Sequence, residues 1–185
     1  MDAKTLKGIA VVAIQDGQKV GSVSQVRFNI DRRRIQGFEV GTGGLFGGNT
    51  LYLPMDNVAS LGPDAIMVRD RDALLGDSAS DRVQQFPTLD DLTSLRVISQ
   101  GGALLGTLVR VDIDAQSGAM TAIEIEKPGI TGAFKAHIDV PIDEVISIGR
   151  DVAVVPDHVA EQPQPMEEPA GPAEEARRSD PEGSA

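Results

Sequence analysis

Residues 53–68 read LPMDNVASLGPDAIMV, and residues 140–155 read VPIDEVISIGRDVAVV. Seven of these 16 positions are identical at an offset of 87: Pro54/Pro141, Asp56/Asp143, Val58/Val145, Ser60/Ser147, Gly62/Gly149, Asp64/Asp151 and Val68/Val155. Upstream, VGSVSQVRFNIDRRRIQGFEV (20–40) and LGTLVRVDIDAQSGAMTAIEI (105–125) run together without a gap at an offset of 85. There Gly21 meets Gly106, Val26 meets Val111, Phe28 meets Ile113 and Glu39 meets Glu124. The chain is an internal duplication, and a repeat has to be settled before any element is assigned.

Each copy reads as β structure. Val26, Phe28 and Ile30 alternate with polar residues, as do Val109, Val111 and Ile113, which is the period of a half-buried strand. QDGQ (15–18) and SQGG (99–102) are hairpin turns, and NIDRRR (29–34) and DAQSG (114–118) close the next hairpin of each copy. The apolar phase slips between Val23 and Val26, and again between Leu108 and Val111. That predicts a bulge after Gly21 and Gly106, a device that bends a strand into a barrel. In the duplicated phrase, Pro54 or Pro141 ends a strand because proline cannot donate to the ladder. Asp56 or Asp143 then caps a short turn, and Val58 or Val145 plugs the core beneath it. Two further short strands, turning at GPD or GRD, finish the copy at Val68 or Val155.

The predicted fold class is therefore all-β: two tandem small barrels of about six strands each, closed or nearly closed. Val26, Phe28, Phe38, Val40, Val58 and Val68 should line the first core. Val111, Ile113, Ile123, Ile125, Val145 and Val155 should line the second. The first barrel is expected over residues 1–70, a polar linker with one helical turn near Ala73–Leu75 over 71–90, and the second barrel over 91–157. Residues 158–185 carry five prolines and almost nothing to bury, so a disordered acidic tail is expected, with truncation after Pro156 leaving stability unchanged. A single core is marginal at the length of one copy, so the barrels should pack together through apolar strand faces.

Composition excludes several functions. The chain has 28 acidic and 17 basic residues, a net charge of −11, with −6 of it after Val155. Direct DNA binding is not expected, because phosphate recognition needs a basic surplus. There is no cysteine, hence neither disulfides nor thiolate metal sites. Apolar runs such as Ile9–Ile14 are far shorter than the roughly 20 residues that span a bilayer. MDAKTLKG has no signal-peptide core, so a cytoplasmic location is expected.

Both copies resemble the PRC-barrel domain family. The resemblance rests on the glycine-bent second strand, the loop GTGGLFGGNT (41–50) and the closing P-[IM]-D-x-V-x-S-[IL]-G, and it covers about residues 5–70 and 91–157. The family includes the cytoplasmic domain of the photosynthetic reaction centre H subunit and the C-terminal domain of the ribosome maturation factor RimM. It therefore implies association with a membrane complex such as the photosynthetic apparatus, or ribosome assembly, as alternatives to a general interaction module. The H subunit's transmembrane helix and RimM's separate N-terminal domain have no counterpart here.

The residues with chemical potential have simpler readings. GTGGLFGGNT holds no G-x-G-x-x-G, is followed by no Lys-Ser/Thr and leads into a strand, so no helix N-terminus awaits a phosphate. DIDAQSG (112–118) places Asp112 and Asp114 as in a calcium loop, but Ser117 stands where the glycine belongs and Ile123 where the bidentate glutamate belongs. His137 and His158 have no second ligand at metal spacing, and Ser99 and Ser147 have no activating partner. Alternation puts Glu39 and Glu124 on a solvated face, and DRRR (31–34) reads as a solvated turn. No catalytic, cofactor or metal residues are assigned, and an enzyme is not expected. What remains is apolar side chains among glycines: Leu45 and Phe46 in the first copy, Ile130 and Phe134 in PGITGAF (128–134) of the second. Two readings stand for these four: core packing over a barrel mouth, or, because ordering glycine-rich backbone to bury its own side chains costs extra entropy, the candidate partner-binding residues of a non-enzymatic interaction or scaffold module.

Overall fold

A computed structural model describes residues 1–43, 49–76, 83–128 and 136–161 of the chain. Strands β1 (Ala10–Ala13), β2 (Lys19–Asn29), β3 (Arg34–Gly41), β4 (Thr50–Pro54), β5 (Val58–Leu61) and β6 (Ala65–Val68) form one sheet in the order β4-β3-β2-β1-β6-β5. Strands β7 (Arg96–Ser99), β8 (Leu104–Ile113), β9 (Met120–Lys127), β10 (Ala136–Pro141), β11 (Ser147–Ile148) and β12 (Val152–Val155) repeat it as β10-β9-β8-β7-β12-β11. Neighbours are antiparallel except β1 with β6 and β7 with β12, which run parallel. In each sheet the two edge strands are consecutive in the chain. Only Met55–Asn57 separate β4 from β5, a reach of about 14 Å, whereas a flat six-stranded sheet would set them about 24 Å apart. The sheet must coil on itself, and this closes the barrel.

The bend is where the phase slip put it. Register shifts fall between Val23 and Gln25 in β2 and between Leu108 and Arg110 in β8. A methyl group at Gly21 would stand 2.6 Å from Gly41 O. One at Gly106 would stand 2.8 Å from the carbonyl carbon of Glu126. Both glycines exist because a neighbouring strand's backbone passes over them. Eleven of the twelve expected core residues are buried. Val58 is half-buried, and Met55 plugs the first barrel from the preceding turn. Asp56 does not cap that turn: no side-chain cap bond forms, and its carboxylate stands open to solvent 3.6 Å from Arg34.

The barrels join through two short turns and the hairpin tips rather than flat strand faces. The 3-10 turn Ala3–Leu6 and the helical turn Leu89–Leu92 each lie against both β2 and β8. Phe28 N–H donates to Pro87 O at 2.9 Å and Ile113 N–H to Met1 O at 2.8 Å. Between the hairpin tips, Ile35 N–H donates to Gly118 O and Met120 N–H to Arg33 O, both at 2.8 Å. The two bonds are repeat equivalents of each other, Ile35 matching Met120 and Arg33 matching Gly118, so the contact has an approximate two-fold axis. Arg33 and Gly118, equivalent residues, both take positive φ, 47° and 68°. Arg33 tolerates that conformation while its guanidinium donates to Ile142 O, and to Val145 O at 2.7 Å. The hairpin read as a solvated turn is thus a barrel-to-barrel contact, and one apolar cluster runs through both barrels.

The described parts of residues 71–90 are packed. The 3-10 turn is Arg71–Ala73, Leu74 and Val83 are buried, and Thr88 with Asp91 forms a capping box that starts Leu89–Leu92. The expected tail also begins too early at 158. His158–Glu161 is a helical turn whose Val159 is fully buried. Asp157 Oδ1 accepts from Gly101 N–H at 2.7 Å. Residues 162–185 lie outside the described residues.

Truncation after Pro156 should therefore lower the melting temperature by several degrees, reversing the expectation from composition. Uncovering the Val159 site costs about 1.5–3 kcal/mol, which is about 3–12 °C at this chain length. The hydrogen bond from Ser99, then that from Gly101, holds the Asp157 carboxyl below the usual carboxylate range. A lowered native value stabilises at neutral pH and is lost as pH falls through it. The loss on truncation should accordingly be larger at pH 7 than at pH 3. Equal melting temperatures for the two chains at pH 7 would refute the docking.

Candidate docking surface

The outward rows of the two sheets carry the polar chemistry of the protein. In barrel one, Gln25, Glu39 and Tyr52 stand side by side across β2, β3 and β4. In barrel two the same row is Arg110, Glu124 and Asp139 across β8, β9 and β10. Neither glutamate is on a solvated face. Glu39 is paired at 2.7 Å with Arg27, whose guanidinium also donates to Phe86 O at 2.7 Å. Glu124 has a side chain only 10% exposed, held between Arg110 and His137. The alternation is right about which side of the sheet they face. It does not foresee that arginines from adjacent strands lie over them. The acid is retained between copies, while its arginine comes from a different place: Arg27 sits diagonal to Glu39, and Arg110 directly opposite Glu124.

Arg110 is the hub of the second row, with Asp112 at 3.0 Å and Asp139 at 2.8 Å besides Glu124. Burial works against its charge, but hydrogen bonding to Asp112 and the field of the three carboxylates outweigh it and raise its pKa. In the first row Tyr52 is the buried member. Its hydroxyl donates to Gln36 O at 3.0 Å, and burial pushes its pKa up to about 12. Gly37 makes room for that ring, since a methyl there would collide with Tyr52 and with Leu53 O.

The other sequence candidates resolve one by one. Asp112 is committed to Arg110, and Asp114 accepts from Ser117 N–H at 2.8 Å and from the Ser117 hydroxyl at 2.7 Å. The DIDAQSG stretch is a self-satisfied hairpin turn. His158 contacts Glu144 at 3.1 Å. A shallow groove of about 390 Å³ beside Met55–Asn57 is lined by Asp56, Asn57, Arg69, Asp70 and Asp72. Its polar groups are partly spent, Asp70 on Asp72 N–H and Asn57 on Ala73 O. Leu45, Phe46, Ile130 and Phe134 lie outside the described residues. The base of the first loop is described: Thr42 N–H donates to Asn49 O at 3.1 Å. Pairing of Ala136 with Lys127 closes the base of the second. β3 and β9 both leave the barrel contact at their first residues, so both loop bases stand at the far ends of those strands.

The family model of the PRC-barrel domain matches residues 1–75 and again 88–162. No curated protein matches the chain. Two matches that together span most of 185 residues, on two six-stranded sheets of one topology, establish that the chain belongs to the PRC-barrel family as a tandem pair of its domains.

Proposed function

We propose that the protein is a non-enzymatic interaction module, in which two fused PRC-barrels present their glycine-rich loops to a partner protein. Membership of a family whose domains generally serve protein interactions supports this reading. The observation that carries it is the placement of the loop bases. Thr42/Asn49 and Lys127/Ala136 stand at the strand ends opposite the hairpin-tip contact of Arg33 and Ile35 with Gly118 and Met120, so the loop bases take no part in that contact. Apolar anchors such as Leu45, Phe46, Ile130 and Phe134 are the side chains that carry binding energy at interfaces.

The reading is tested with Leu45→Ser combined with Phe46→Ser. Capture of the native partner, identified by crosslinking from the host, should weaken at least about tenfold, or about 1.4 kcal/mol. The melting temperature should move by less than about 2 °C. Ile130→Ser with Phe134→Ser should behave alike if both barrels bind in one manner. Unfolding of the first double variant would make Leu45 and Phe46 core residues and remove the basis of the assignment.

A further inference from the structure

Among the described residues the two barrels differ at one edge. In barrel one, Tyr52 on edge strand β4 donates its N–H to Leu75 O at 2.9 Å and accepts from Leu75 N–H at 2.7 Å. Chain that leaves the first barrel thus returns to pair with its edge, and Gln84 O and Phe86 O then cover Arg27 on the same face. The repeat offset of 87 puts Asp139 on β10 in the place of Tyr52. Ile142 N–H donates to Thr121 O at 2.9 Å, in line with the β9–β10 register. Backbone groups alternate along a strand, so Val140 and Ile138 turn theirs to β9 while His137 and Asp139 turn theirs outward. Among the described residues nothing pairs with these outward groups, and both side chains are exposed.

Resting on the interaction-module reading, we propose that the β10 edge at His137–Asp139 accepts an extended segment of a partner protein, added as a seventh strand and carrying a lysine or arginine over Asp139. Main-chain bonding to an edge strand supplies affinity in such additions, and alternate side chains supply specificity. Charge selects the occupant. Arg110 with Asp112, Glu124 and Asp139 leaves a surplus of two negative charges on the face beside this edge. A second copy paired edge to edge would set these acidic rows against each other, and like charges across strands repel. The chain's own residues 162–185 hold six acids against two arginines, and their five prolines cannot donate to a ladder. A basic extended segment from another protein fits on both counts.

The probe is a capped hexapeptide, Thr-Lys-Val-Lys-Val-Thr, titrated into the full ¹⁵N-labelled chain, with its Lys-to-Glu analogue as control. The expected result is shift changes and slowed exchange at the His137, Ile138 and Asp139 amides, with the Tyr52 region unmoved. Asp139→Lys keeps the main-chain donor and should weaken the lysine peptide by about tenfold while favouring the glutamate peptide. Absence of binding at millimolar peptide, shifts mapping elsewhere, or equal affinity for both proteins would overturn the edge assignment; those results would mean that Asp139 only guards the edge against aggregation. The loop variants of the previous section report on the module reading separately, so the two can fail independently.

Discussion

Phe28→Ala should remove about 3–5 kcal/mol of stability, and it should do so from both barrels in one transition. Phe28 is fully buried on β2, and its N–H is bonded to Pro87 O at the barrel contact. The cavity opens in the core of the first barrel, on the strand that also contacts the segment that begins the second. Total stability of a folded chain is about 5–15 kcal/mol, so the loss is about a fifth of that total or more. Urea unfolding can be followed at Tyr52 for the first barrel and by amide exchange at Ile123 and Ile125 for the second. The two probes should shift together. If the second barrel keeps wild-type protection while the first melts, the shared cluster does not couple them.

Gly106→Ala is expected to cost about 3 kcal/mol or more, the upper end for forced overpacking. Besides the clash with Glu126 O, its new methyl would lie 3.1 Å from Lys127 Cα. These are main-chain atoms of β9, so relief requires pulling apart the β8–β9 ladder that forms the bend. The melting temperature should fall by about 6–12 °C. Gly76→Ala is the control, because nothing lies within 4 Å of the added methyl there and its φ is not positive. Equal melting temperatures for the two variants would mean that β8 bends without needing the glycine.

Much of the architecture was legible because the chain states it twice. The period-two apolar positions located the core, and the slip between Leu108 and Val111 located the bulge. The parallel pairing of β1 with β6 was not legible, since nothing in a strand's own sequence names a partner about 55 residues away. Leu89–Leu92 was hidden because two leucines beside two aspartates read as a polar linker. Its signal was present in Thr88-x-x-Asp91, a capping box, and in its repeat position opposite Asp2 to Leu6. Val159 could have been found in the same way, since Asp157 repeats Asp70 at the start of a helical turn. For Glu124, the period told which side of the sheet it takes, but its cover comes from β8 and β10, which only register reveals. The candidate loop residues rest on glycine context alone.

The placement of Ala3–Leu6 and Leu89–Leu92 against both β2 and β8 also sets the order of events at the ribosome. By the time β6 has been made, the first six strands are complete in sequence, yet Phe28 still lacks the carbonyl of Pro87 and β2 the packing of Leu89–Leu92. At about 5–20 residues per second, Leu92 follows some one to five seconds after Val68, and it must then clear the exit tunnel. During that interval the nascent first half has its β2 flank covered in part, by Ala3–Leu6. The second half meets no such delay, because both turns that lie against β8 precede it in the chain.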